Sequence, residues 1–331
     1  MNLTNHRNIK RLLTLTSALM ALCLLAGCAG GGGSTESDPE KISVVTTIFA
    51  PYDFTREIAG DAIELRMLLP PGAESHAFEP TAADILAIQN CDLFIYVGGE
   101  SETWVERILS TIDTDGINII SLMDIVEVVE EELVEGMQSE TEHEEHEHES
   151  VEYDEHVWTS PQNAILIAEK ISETLVEIDP ENADIYSDNT SMFVSELEAL
   201  DAEFSSVLAD SARQVVVFGD RFPFRYFTES YGLSYFAAFP GCSAETEPSA
   251  ATVKFLIDKV RSEGIPVVFH IELSSSKIAE TIAEATGAEV LVFYACHGIS
   301  RGDFETGVGY LELMRLNVEA LRVALSVGDP A

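Results

Sequence analysis

The sequence predicts an α/β protein of two lobes, each built on a largely parallel sheet, joined by one long helix. Three observations predict it. Short β-branched runs alternate with amphipathic helix patterns through residues 41–180. The same alternation returns after residue 213. Between the two halves Ile185, Phe193, Leu197, Leu200, Phe204 and Leu208 form one apolar stripe at helical spacing, about seven turns long.

The elements follow in order. Residues 1–27 carry Arg7, Lys10 and Arg11, no acidic side chain, and then the apolar run TLTSALMALCLLAG. That is a secretory signal, and too short a run for a membrane-spanning helix. Leu25-Ala26-Gly27-Cys28 resembles a bacterial lipobox, which would make Cys28 a lipidated first residue, and the glycine-rich stretch 28–40 reads as a flexible tether. The chain is therefore expected outside a bacterial cytoplasmic membrane, anchored by lipid.

The first lobe, 41–180, opens with KISVVTTIFA as a buried strand, followed by a helix in PYDFTREIAGD with Phe54 and Ile58 on one face. AIELRMLL is a strand stopped by Pro70-Pro71-Gly72. TAADILAIQ is a helix turning Ile85 and Ile88 inward, DLFIYVGG a strand, TWVERILSTI a helix and INIISLMD a strand. Residues 127–153 depart in composition, being mostly acidic and histidine-bearing, and are expected to form a mobile, solvated loop. Ser160 caps the next helix with Pro161 at its first position. The linking helix spans 181–212. In the second lobe, 213–331, strands RQVVVFGD, LSYFAAFPG, IPVVFHIEL and AEVLVFYAC alternate with helices, and FETGVGYLELMRLNVEALRVAL closes the chain as one helix.

Charge narrows the function classes. With 18 basic and 58 acidic residues the formal net charge is −40, which disfavours nucleic acid and anionic membrane surfaces and attracts cations. Of the cysteines beyond the signal, Cys91 reads as a small buried hydrophobe, and Cys242 and Cys296 are the pair available for a disulfide.

Histidine is the residue that suggests a site. His76 lies in GAESHAFEP after the second strand, His156 in DEHVWTSP just before a helix with Trp158 beside it, and His297 in FYACHGIS after the last strand. All three fall at strand-to-helix turns, where open α/β sheets bind ligands. Three imidazoles and a carboxylate suit four-coordinate zinc; manganese is the nearest rival, and hard-oxygen metals would not choose imidazoles. Asp220 in FGDRF is the best-placed carboxylate, with Glu272 its competitor. His270, inside an apolar strand, reads as structural.

The stretches VVTTIFAPYDFTREIAGD, LLPPGAESHAFEPTAADI, CDLFIYVGG, DEHVWTSPQNA, IDPENADIY, KIAETIAEATGA and GVGYLELMRLNVEAL, with the histidine-rich insertion between the third and fourth, occur in one order. In that combination the chain resembles the cluster A-I metal-type solute-binding proteins of bacterial ABC importers, from Lys41 to Leu325. The resemblance implies two Rossmann-like α/β lobes joined by one long rigid helix, with the metal in the inter-lobe cleft. It implies a zinc receptor, with manganese as the alternative, that acts as a monomer and hands its ion to the permease and ATPase subunits of an importer. His76 and His156 match the family's first-lobe ligands. The second lobe departs: Gly219 stands where the family has a histidine or glutamate, and the late aspartate is missing near His297. His297 is therefore expected to replace a missing ligand, with Asp220 or water completing the shell. His143, His146 and His148 match the histidine-rich loop of the zinc-handling members and are expected to bind metal loosely; the alternative is a solvated acidic loop with incidental histidines. A zinc hydrolase is the rival outside the family, but no H-E-x-x-H occurs. A surface adhesin on the same fold is the third reading.

Overall fold

The computed structural model describes residues 41–74, 78–137, 152–241, 243 and 247–326. Cys28, His76, His143, His146, His148 and Cys242 lie outside the described residues, as do the signal and tether. None of the described helices is long and apolar enough to cross a membrane.

Two parallel four-stranded sheets organise the chain. The first comprises β1 (Ser43–Thr46), β2 (Glu64–Met67), β3 (Leu93–Tyr96) and β4 (Asn118–Ser121) in the order β2-β1-β3-β4. The second comprises β5 (Val215–Phe222), β6 (Ser234–Pro240), β7 (Val267–His270) and β8 (Glu289–Val292) in the order β6-β5-β7-β8. Both orders reverse direction after the first strand of the lobe, so each sheet has a switch point, between β1 and β3 and between β5 and β7. Parallel strands need crossover connections. In the first lobe these run through α1 (Phe49–Ala59), α2 (Ala82–Gln89) and α3 (Thr103–Leu109), and in the second through α6 (Arg225–Tyr231), α7 (Ala250–Glu263) and α8 (Lys277–Thr286), with α4 (Pro161–Ile178) and α5 (Ala183–Ala209) between the lobes in sequence.

Strand alternation sorts side chains between two kinds of core. Val44, Leu93 and Ile95 of the first sheet and Val216, Phe218, Val267 and Phe269 of the second join one continuous cluster with Ile171, Leu197, Leu200 and Phe204 of α4 and α5. Their strand neighbours Val45 and Phe94 face α2 and α3, and Val217 and Val268 face α7 and α8. Both sheets are covered on both faces, which explains the nearly uninterrupted apolar strand runs.

Four local expectations change. Ile185 is exposed, and the fully buried Tyr186 takes its place in the α5 stripe, its hydroxyl donating to Asp179 Oδ2. Ser160 occupies the α4 cap position, but its hydroxyl meets Ser230 Oγ at 3.0 Å instead of capping. The closing helix is two, α9 (Arg301–Thr306) and α10 (Tyr310–Ala324), because Gly307 turns left-handed at φ 79° and ends the first. Finally, the described ends of the acidic insertion are anchored to the body, although much of their surface is exposed. Glu131 N donates to Glu152 O and Asp154 N to Val129 O at 2.9 and 3.0 Å, and Val129, Val134 and Met137 pack on the core.

Candidate metal centre

The site is assembled from the carboxyl ends of both sheets. Asp154, Glu155 and His156 enter a short turn, Val157–Thr159, just before α4, and all six residues are buried. Asp154 Oδ1 accepts the His156 backbone N–H at 2.8 Å and lies 3.2 Å from the ring Nδ1. That clamp ties Nδ1 and leaves Nε2 as the nitrogen available to a ligand. Burial pulls the His156 pKa down, but Asp154, Glu155 and Glu131 together outweigh it and hold the imidazole above its ordinary value.

His297 arrives from the other lobe. Cys296 adopts φ 56°, which bends the chain as it leaves the last strand. Phe49 N–H at the start of α1 donates to His297 O at 3.1 Å. The His156 and His297 rings stand edge to face with centroids 5.4 Å apart. The Trp158 ring lies 5.5 Å from the first and 5.2 Å from the second. Its indole N–H donates to Ala295 O at 2.7 Å, so one fully buried tryptophan fixes both imidazoles and pins the lobes together.

The two histidines line a cavity of about 30 Å³ with Glu74, Arg221, Glu272, Ser274, Ala295 and Gly298. That is room for an ion or a water, and too little for an organic solute. Gly241 borders it because a Cβ there would sit 3.1 Å from Asp154 Oδ2 and 3.2 Å from His156 Cε1.

The two carboxylate candidates stand differently. Asp220 is not among the cavity-lining residues. Its Oδ1 accepts Arg221 N–H at 2.8 Å, and its Oδ2 accepts Ile271 N–H at 3.1 Å and the Ser274 hydroxyl, bridging the second switch point. Glu272 lines the cavity and accepts Ala295 N–H at 2.7 Å and His297 N–H at 3.2 Å. Burial raises its pKa to about 7. His270 Nδ1 lies 3.0 Å from Ile271 O, outside the site. Cys296 is a free, buried thiol rather than half of a disulfide. Among the described residues no three His, Cys, Asp or Glu side chains converge tightly enough to hold a metal. The loop carrying His76 adjoins the cavity through Ala73 and Glu74.

Sequence reasoning missed two residues here. Asp154, which orients His156, was readable as an acidic residue two positions before a candidate ligand. Arg221 was not, because a basic residue is not sought beside a cation.

The description "zinc-uptake complex component A, periplasmic" (ZnuA) belongs to the family model that matches residues 44–324. The high-affinity zinc uptake system protein ZnuA of Bacillus subtilis is 33% identical over 316 residues, covering 93% of this chain and 97% of that protein. The zinc-binding lipoprotein AdcA of Streptococcus pneumoniae is 30% identical over 326 residues, and the match spans 62% of its length. Among solved structures, the Zn(II)-bound ZnuA-like domain of Streptococcus pneumoniae AdcA superimposes with a TM-score of 0.71 at 28% identity, covering 86% of this chain and 99% of that one. Fold, chain coverage and the paired histidines of the cleft converge, and the chain belongs to the zinc-uptake component A family.

Proposed function

We propose that this protein is an extracytoplasmic receptor that binds Zn(II) tightly and delivers it to the permease of an ABC importer. One observation carries the reading: His156 and His297, from opposite lobes, face each other at 5.4 Å across a cavity of ion size. The ligands are His76, His156 and His297; Glu272, which borders the cavity, would have to turn inward from its backbone partners to complete the shell, and Asp220 holds the turn after β7 rather than the ion. An imidazole-rich shell favours zinc over manganese. Binding and release are the whole cycle, without chemistry on the solute. Cys28 carries the lipid anchor, the folded body runs as two lobes about the 181–212 helix, and the receptor works as a monomer. His143, His146 and His148 collect zinc loosely.

A competitive zinc titration of the body from Ser34, with and without residues 140–150, tests this. One tight site surviving the deletion, with weak sites lost, is expected; His156→Ala and His297→Ala should each loosen the tight site at least about 100-fold. A tight site that disappears with the loop, or one indifferent to both histidines, would sink the assignment.

A further inference from the structure

A guanidinium borders the cavity read above as a zinc site. Arg221, near the end of β5, has a side chain only 7% exposed and lines the cavity with His156, His297 and Glu272. It is one of only 18 basic residues in a chain with 58 acidic ones. A fixed positive charge beside a bound cation is repulsive, and the more so for being shielded from water. Its placement is nonetheless deliberate in geometry. Nη1 reaches Ser243 O at 3.4 Å within its own lobe, while Nη2 pairs with Glu74, which belongs to the first-lobe loop 70–80.

The counter-charge therefore comes from the opposite lobe. With the lobes together, the Glu74 carboxylate neutralises Arg221 and the cavity can accept a cation. When the lobes part, Glu74 leaves with the first, and Arg221 stays on the second with its charge bare. We propose that the Glu74–Arg221 pair is an electrostatic release device: closure cancels the guanidinium, and opening exposes it and lowers the affinity for Zn(II). This rests on the reading of the cavity as a zinc site. It makes cation affinity depend on lobe position through a charge that is not a ligand.

The test uses the intact mature protein as wild type, Glu74→Gln, Arg221→Gln and the double variant. Zinc affinity is measured against a competing chelator, release by chelator chase, and folding by thermal unfolding. Glu74→Gln, which leaves the guanidinium uncompensated, should weaken zinc at least about tenfold. Arg221→Gln should bind at least about threefold tighter and release at least about fivefold more slowly, and the double variant should return to the Arg221→Gln values rather than keep the Glu74→Gln loss. Arg221→Met, with the same expected signs, replaces Arg221→Gln should that variant fold poorly. Weakening by loss of Arg221, or a double variant as weak as Glu74→Gln alone, would overturn the proposal, since Glu74 would then act as a ligand or as a strut. Wild type that takes up no zinc would overturn the site reading itself, and this inference with it.

Discussion

Gly219 shows how one residue redirects a site. The family resemblance puts a histidine or glutamate there, and this chain has a glycine. A Cβ built at Gly219 would lie 2.5 Å from both the N and the Cα of Ala279 in α8, which is backbone and cannot yield. The helix is packed against β5 too closely for any side chain, and the imidazole that lines the cavity from the second lobe is His297. Gly219→Ala is expected to destabilise the protein by roughly 1–3 kcal/mol through overpacking, read from the midpoint of denaturant unfolding. An unchanged midpoint would mean that α8 moves freely and that the glycine has another cause.

At the scale of elements, the base of the acidic insertion behaves as a strap between the lobes. Tyr226 of α6 donates its hydroxyl to Asp154 O at 2.7 Å and accepts Val129 N–H at 3.3 Å. Glu131 Oε1 accepts Gly241 N–H at 3.0 Å, and Glu132 lies 3.4 Å from Arg225 Nε. The base of the insertion thus rests on the second lobe, and its C-terminal end lies a few residues before His156. Losing a hydroxyl that serves a buried carbonyl and a part-buried amide costs about 1–3 kcal/mol. Tyr226→Phe should therefore lower stability by that order and quicken amide exchange at Val129, whose N–H the hydroxyl accepts, as hydrogen-exchange measurements would show. Exchange unchanged at that amide would mean the strap is held by its apolar residues alone.

The whole molecule holds carboxyl groups that burial makes reluctant to ionise. Asp53 is raised to about 6 and Glu102 to about 7, in each case chiefly by burial, against ordinary values of 3.8 and 4.5. Burial and then Asp154 likewise push Glu131 up. Between the ordinary and the raised values the folded state keeps protons that the unfolded chain has released, so stability falls as pH rises through that window and is recovered on acidification. Lowering the pH also relieves the self-repulsion of a chain with formal charge −40. The metal-free protein should therefore melt at least about 3 °C higher at pH 5 than at pH 8. The zinc-loaded protein should behave oppositely in what zinc adds, because imidazoles must lose their protons to bind. Calorimetric scans of both forms across that range check the two signs, and a metal-free melting point lower at pH 5 than at pH 8 would refute the first.

The sequence by itself determined the layered plan. Buried parallel strands read as β-branched runs and helices as apolar stripes, because each pattern is set by which face meets a core, and that is local. It also placed His156 and His297 at strand-to-helix turns. What the tertiary structure alone decided is which side chains meet. Tyr186 rather than Ile185 faces the core because the exact roll of α5 is fixed by the helices α1, α4, α6 and α10 that pack on it from both lobes. Asp220 and Glu272 look alike as carboxylates after strands, yet one is tied across the switch point and the other borders the cavity. Glu74 and Arg221 are 147 positions apart, and only the closing of two lobes brings an anion to a guanidinium. Pairings of that kind have no period in the chain, since they depend on distances between elements that local sequence does not encode.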